Sequence, residues 1–268
     1  MNKQRGSPIR WAGSKASSAS QIMPLLDFKR PYIEPFCGSA AFFFKQKPDC
    51  SHLNDSNPAL ISFYDELCRN PAEVWKNYND TPIDEPTYYE KRKEFNQLES
   101  GTRKASLFLY LNHYGFNGIF RTNKKGELNT PFGARKKIRN KMSLEEIISH
   151  SEALKGVSLH CSDFEYFLKN LSPEGCCIYM DPPYFTDDSR VFGEYGAHTF
   201  KGIDLQRLFD VAIELVASNN KVVVSYKDCT EFRDLFGATI KSEITVQRNV
   251  GGFAGRRKTD QELVAIFQ

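Results

Sequence analysis

Short apolar runs broken by small or turn-forming residues occur at both ends of the chain, and a longer-period pattern lies between them. Pro31-Tyr32-Ile33-Glu34-Pro35-Phe36 is a strand-like run entering the small-residue turn Cys37-Gly38-Ser39-Ala40, after which Ala41-Phe42-Phe43-Phe44 begins a helix. Leu53-Asn54-Asp55 ends a second strand on an acid. The next segment changes period. Pro58 to Tyr64 predicts a helix capped by Asn57, and Thr87 to Leu98 and Arg103 to Tyr110 predict two more. Strand–helix alternation returns from residue 156, with strands at Val157-Ser158-Leu159, Cys177 to Met180 and Lys221 to Ser225. Ile244 to Asn249 and Glu262 to Phe267 predict antiparallel strands around a bend at Gly251-Gly252. The pattern predicts an α/β fold whose sheet-forming domain is discontinuous, residues 1–55 and 150–268. A mostly helical insert, 56–149, separates its two parts.

Composition narrows the class. The chain has 268 residues, 40% of them hydrophobic, enough for a sizeable core. No stretch has the length of a membrane span, and Met1 to Arg10 is polar with no apolar signal region. Seven cysteines lack metal-ligand spacing, which points to reduced thiols in a reducing compartment. The five histidines are scattered and there is no H-E-x-x-H, so no metal is expected. A net charge of +3 says little about nucleic acid, but its distribution says more. Arg121, Lys124, Lys125, Arg135, Lys136, Lys137, Arg139 and Lys141 face a single acid, Glu127, within one stretch, and Arg256-Arg257-Lys258 forms a second cluster. Charge runs are commonly solvated faces. Here the first is interleaved with Asn, Gly and aromatic residues, and Lys124-Lys125-Gly126-Glu127 has the composition of a hairpin tip. A β-hairpin can enter the major groove of DNA.

The most informative stretch is Asp181-Pro182-Pro183-Tyr184. It follows the apolar run Cys176 to Met180, and the two prolines stop that strand because neither can donate to a ladder. A carboxylate and an aromatic ring are thus fixed at the carboxyl end of a strand, the edge at which open α/β sheets bind ligands. The elbow suits chemistry at an exocyclic amino group, whose lone pair is delocalised into its ring. Asp181 and the Pro182 carbonyl can each accept one N–H, favouring pyramidal nitrogen and freeing the lone pair, while Tyr184 stacks on the ring. The plain alternative is a strand-end turn with a capping Asp. The N-terminal strand, glycine turn, helix and Asp55 form a layout that binds a nucleoside, with the acid on the ribose hydroxyls.

Four segments taken in order resemble one family. They are Trp11-Ala12-Gly13-Ser14-Lys15; the Phe36-Cys37-Gly38 turn; Tyr110 to Asn123 continuing to Asn129-Thr130-Pro131-Phe132-Gly133; and Asp181-Pro182-Pro183-Tyr184. Together they resemble the Dam-type DNA adenine-N6 methyltransferases, the D12 class of the α group. The resemblance implies a Rossmann-like class I sheet, S-adenosylmethionine as methyl donor and double-stranded DNA as substrate. It assigns Trp11 and Lys15 to the donor, Lys15 neutralising the methionine carboxylate. Phe36 and Gly38 match the first cofactor loop and Asp55 the acid on the ribose. Asp163 and Phe164 match the pair that cradles the cofactor adenine. Asp181, with Pro182 and Tyr184, matches the catalytic elbow and also lies near the donor. One departure is visible: Ala40 stands where the family often has a second glycine, and alanine takes a positive φ only at a cost.

If the target amine lies in a duplex, its nucleotide must be flipped out. The resemblance gives Phe116 and Ile119 a wedging role, the alternative being ordinary hairpin packing; Asn117 would pair with the orphaned base. It makes Arg121 the reader of a guanine, and the recognition site GATC. Arg135, Lys137 and Arg256 are expected on phosphates, which position without specifying. The polar loop Phe185 to Phe200, with Tyr195 as a second stacking face, is expected to close over the base or to be plainly disordered. Rival readings are an adenine methyltransferase of another site from a restriction or phage system, a methyltransferase of protein or RNA, and a silent DNA-binding relic. A monomer in the cytoplasm of a bacterial or phage-infected cell is the remaining expectation.

Overall fold

A computed structural model of the protein describes residues 6–133, 140–184, 200–248 and 258–268. Among these residues are seven strands: β1 (Tyr32–Glu34), β2 (Ser51–Asn54), β3 (Ser158–His160), β4 (Cys177–Met180), β5 (Lys221–Lys227), β6 (Ile240–Arg248) and β7 (Lys258–Phe267). They form one sheet in the order β3-β2-β1-β4-β5-β7-β6. The first five are parallel, and β7 runs antiparallel between β5 and β6. All four residues of β4 are buried, as are all three of β1. Strands covered on both faces require unbroken apolar runs, and that is how the sequence around Ile178 is written.

Ten α-helices accompany these strands among the described residues: α1 (Ala19–Ile22), α2 (Ala41–Gln46), α3 (Pro58–Arg69), α4 (Pro71–Asp80), α5 (Glu85–Gln97), α6 (Thr102–Tyr114), α7 (Leu144–Leu154), α8 (Phe164–Leu171), α9 (Gly202–Val216) and α10 (Thr230–Phe236). Asn57 caps α3 by accepting from the backbone N–H groups of Ala59 and Leu60. Asp84 does the same for α5, through Thr87. The pattern of apolar positions missed α7. Its start is marked by a capping box, Ser143 with Glu146, which a charge-rich neighbourhood obscures.

Two apolar cores flank the sheet. One joins Ile33, Ile178 and Val224 to α8, α9 and α10. The other runs without a break from Tyr32 and Phe43 on the sheet side to Tyr64, Phe108 and Tyr110 in the helices. α6 is the centre of the helical region, buried at every position from Ala105 to Tyr114. Trp11 continues this core toward the cavity, its ring 5.9 Å from Phe120 and 6.4 Å from Phe108.

The hairpin around Lys124 lacks the paired strands expected of it. Its arms are instead joined by the isolated antiparallel bridges Gly115–Phe132 and Thr122–Leu128 and by single backbone hydrogen bonds such as Asn129 N–H to the Arg121 carbonyl and Asn123 N–H to the Glu127 carbonyl. Helix α5 adds side-chain hydrogen bonds to the returning arm. Arg92 donates to the carbonyls of Asn129 and Thr130, and Asn96 pairs with both backbone groups of Leu128. Backbone groups satisfied by side chains do not need a ladder.

Candidate functional site

β1 and β4 are parallel neighbours, with Tyr32 beside Cys177 and Ile33 beside Ile178. Chain connections leave this pair in opposite directions, to β2 on one side and β5 on the other, so their carboxyl ends form a topological switch point. A crevice is expected there. A cavity of about 800 Å³ opens there, reached by Gly38, Asp55, Phe164 and Asp181 alike.

The turn after β1 shapes one wall. Gly38 has φ +47°, and a Cβ there would lie 2.6 Å from Trp11 Cδ1. The close approach that makes glycine necessary is therefore the indole of Trp11. Ala40 adopts φ 48°, ψ 43°, the left-handed conformation for which glycine is the usual choice. It is fully buried and its N–H donates to the Cys37 carbonyl, so the surrounding turn holds it in place. Asp55 accepts from Gly38 N–H at 3.0 Å and from Asn57 N–H at 2.9 Å. Burial nevertheless pushes its carboxyl up to about 6, against those two bonds. Glu34 lines the same cavity. Its Oε1 accepts from the Tyr32 hydroxyl at 2.8 Å and from Phe43 N–H at 3.3 Å, and burial pushes it up to about 8.

The far end of the cavity is aromatic. The rings of Phe36 and Phe164 lie 5.1 Å apart. Asp163 caps α8 through Glu165 and Tyr166, and accepts from Arg207 at 2.7 Å. The Arg207 guanidinium lies over Phe164, 4.9 Å from the ring centre.

At the elbow after β4, Lys15 donates to Asp181 Oδ1 at 2.6 Å and to the Tyr184 hydroxyl at 3.1 Å. Ser225 on β5 also donates to Asp181 at 3.1 Å and exchanges a hydrogen bond with Tyr179. Tyr184 donates in turn to Glu262 of β7. Asp181 keeps a 17% opening, yet its surroundings are dense enough to raise it. Burial pushes the carboxyl to about 6, opposed by Lys15 and assisted by the charge of Glu262. The resemblance assigned Lys15 to a methionine carboxylate; here its ammonium is engaged by Asp181.

The remaining expected residues lie on the helical side. Phe116 is 46% exposed, and Asn117 beside it is exposed with φ 54°. Ile119 is half-buried. Arg121 is exposed, and its Nε donates to Asn129 Oδ1 at 2.8 Å. Asn112 ties this loop to the N-terminal arm through the Arg10 backbone and the Gly118 carbonyl. Arg135, Lys137, Arg256 and Tyr195 lie outside the described residues, as do the bend at Gly251-Gly252 and residues 185–199 of the loop after the elbow.

Reasoning from sequence missed Glu34, Tyr179, Arg207, Ser225 and Glu262. For Glu34 a signal exists: it is an acid inside an otherwise apolar strand run, where an ionisable side chain is rarely left without a task, whereas Glu262 follows Asp260 and Gln261 and carries no such signal. No group of three or more His, Cys, Asp or Glu among the described residues is arranged to hold a metal ion. No described helix is long and apolar enough to cross a membrane.

The family model of the D12 class N6 adenine-specific DNA methyltransferases matches residues 11–250. A DNA adenine methylase of Vibrio cholerae is 34% identical over 278 aligned residues, covering 100% of this chain and 97% of its own. The DNA adenine methylases of Escherichia coli K12 and Salmonella typhi are each 29% identical, covering 97% of this chain and 94% of theirs.

Proposed function

The chain belongs to the D12 class of N6 adenine-specific DNA methyltransferases, and on that premise we propose that it uses S-adenosylmethionine to methylate a flipped-out adenine within GATC of duplex DNA. The single observation that carries this reading is that Asp55, the Gly38 turn and the Asp181 elbow open into one cavity at the switch point. A nucleoside-containing donor and an amino acceptor can meet there.

The cavity suits the donor in its chemistry. Asp55 offers a carboxylate to ribose hydroxyls, Phe36 and Phe164 offer faces for a purine, and Asp163 can accept from an amino group. When bound, S-adenosylmethionine supplies an electrophilic methyl group on a sulfonium. Asp181 and the Pro182 carbonyl accept the two N6 hydrogens, and Tyr184 stacks on the base. The N6 lone pair then forms the new N–C bond as the methyl–sulfur bond breaks and sulfur keeps its electron pair. One N6 proton leaves toward Asp181, whose raised basicity suits it to that task. No covalent bond to the protein is required.

Residues 56–149 carry recognition in this reading. Phe116 is exposed at a tight turn and wedges into the gap, with Ile119 behind it, while Asn117 meets the orphaned base. Arg121 reads a guanine, and Asn129 steadies its guanidinium. The test is transfer of labelled methyl from S-adenosylmethionine to two duplexes that differ only in GATC against GTTC. Label on the first alone, as N6-methyladenine, is expected. Label on both would discard GATC and keep the adenine methyltransferase. Arg121→Ala is expected to lose roughly 10- to 100-fold discrimination at one guanine, the loss of a bidentate contact of about 1–3 kcal/mol. Unchanged selectivity in that variant would remove Arg121 from the readout.

A further inference from the structure

Glu262 opens the apolar run Glu262-Leu263-Val264-Ala265-Ile266-Phe267 on β7 and is only 2% exposed. Its register sets it beside Lys227 of β5 and Ile244 of β6, inside the sheet. Its two oxygens are used unequally. Oε1 accepts from the Tyr184 hydroxyl and lies 3.7 Å from the Lys15 ammonium. Oε2 is buried and has no hydrogen-bond partner among the described residues.

As a fold staple this arrangement is poor. A buried carboxylate oxygen without a partner costs stability, and an apolar residue would complete the strand better. What Glu262 does touch is specific. Lys15 donates to Asp181 Oδ1 and to the Tyr184 hydroxyl, and the Glu262 carboxylate reaches both Lys15 and Tyr184 from another strand. The Tyr184 ring also packs edge-on against Tyr226, at 5.2 Å.

We propose that Glu262 is a positioning residue for methyl transfer, holding the Tyr184 ring and the Lys15 ammonium where they act on the target base and on Asp181. The inference rests on the reading of Asp181 as acceptor of the N6 hydrogens. Lys15 sits between two carboxylates, one of which binds substrate while the other does not. Removing Glu262 takes away the acceptor of the Tyr184 hydroxyl proton and leaves Asp181 as the one carboxylate on the Lys15 ammonium among the described residues.

The same geometry makes the charge of Glu262 felt at Asp181. The ionisable and polar groups around Asp181 are Lys15 from the N-terminal segment, Tyr179 on β4, Tyr184 on the elbow, Ser225 on β5, Glu262 on β7 and, further off, Glu34 on β1. Lys15 lowers the Asp181 carboxyl; Glu262 raises it. Taking the negative charge away while keeping an oxygen for the Tyr184 hydroxyl therefore shifts Asp181 ionisation to lower pH.

The experiment is single-turnover methylation of an adenine-containing duplex across pH 5.5–8.5 by wild type, Glu262→Gln, Glu262→Ala and Tyr184→Phe. Donor affinity and thermal melting are measured in parallel. Glu262→Gln is expected to fold, to bind donor as wild type does, and to move the acid limb of the rate profile to lower pH. Glu262→Ala is expected to lose about 10²-fold in rate, the ordinary cost of a misplaced reacting group. Its combination with Tyr184→Phe should cost less than the product of the two. An acid limb that stays in place in Glu262→Gln overturns the proposal, whatever the rate of Glu262→Ala and even if that variant fails to fold. A wild type that methylates no duplex overturns the reading beneath it as well.

Discussion

Asp181→Ala is expected to reduce methyl transfer by at least about 10³-fold while leaving donor binding and DNA binding near wild type. The size follows from two losses. In the proposed reaction Asp181 accepts an N6 hydrogen and so removes lone-pair delocalisation at the moment of attack; positioned acid–base groups are worth about 10²–10⁴. It also supplies a fixed negative charge in a mostly buried site, where such groups stabilise developing positive charge strongly. DNA binding should survive because Arg121 and Phe116 lie on the helical side, and most donor contacts should because Asp55, Phe36 and Phe164 do not touch the carboxylate, although Lys15, also assigned to the donor, loses it as a partner. Stability should survive too. Lys15 loses its 2.6 Å partner but keeps Glu262 at 3.7 Å, so no buried ammonium is stranded. The check is single-turnover transfer at saturating donor and DNA, with Asp181→Asn as the shape-preserving companion. Wild-type rates in either variant would remove Asp181 from the chemistry.

Those two partners of Lys15 differ in how legible they were. Asp181 was readable because its neighbours are local: prolines at 182 and 183 end an apolar run, and their consequences for the backbone are fixed by covalent structure. Asp55 was readable for the same reason, an acid at the end of a strand one helix after a glycine turn. Glu262 was not. Its role depends on contacts with Tyr184 and Lys15, residues distant in sequence, brought near only when β7 inserts between β5 and β6. Lys15 was placed by resemblance on a ligand; it lines the cavity, and its contact with Asp181 was not legible. Ala40 illustrates another kind of gap. Its residue type argues against a left-handed turn, yet the hydrogen bond to Cys37 and complete burial impose φ 48°. The hairpin is a third case: its turn and the pairing of its arms were legible, but the support of its returning arm by Arg92 and Asn96 of α5 was not.

Glu34→Gln should abolish a fall in stability that the wild-type enzyme, free of donor, shows as pH rises from 6.5 to 8. Burial raises this carboxyl from an ordinary 4.5 to about 8 in the folded chain. Between those values the native state binds a proton that the unfolded state does not, so stability is full below 4.5 and is lost on the way to 8. At about 1.4 kcal/mol per pH unit the total is several kcal/mol, with roughly 2 kcal/mol falling above pH 6.5. Other groups leave that upper window clear. Asp55 and Asp181 act in the same direction but are spent by about pH 6. His52 and His160, lowered by burial, act oppositely and only below their ordinary 6.5. Glutamine keeps an oxygen for the Tyr32 hydroxyl and Phe43 N–H and never ionises, so the variant should melt at a nearly constant temperature across pH 6.5–8. The measurement is the melting temperature of both proteins at pH 6.5, 7.25 and 8 in matched salt. Parallel curves would mean that Glu34 is already ionised in the folded enzyme, and that the cavity beside Asp55 carries one more negative charge at neutral pH than its burial predicts.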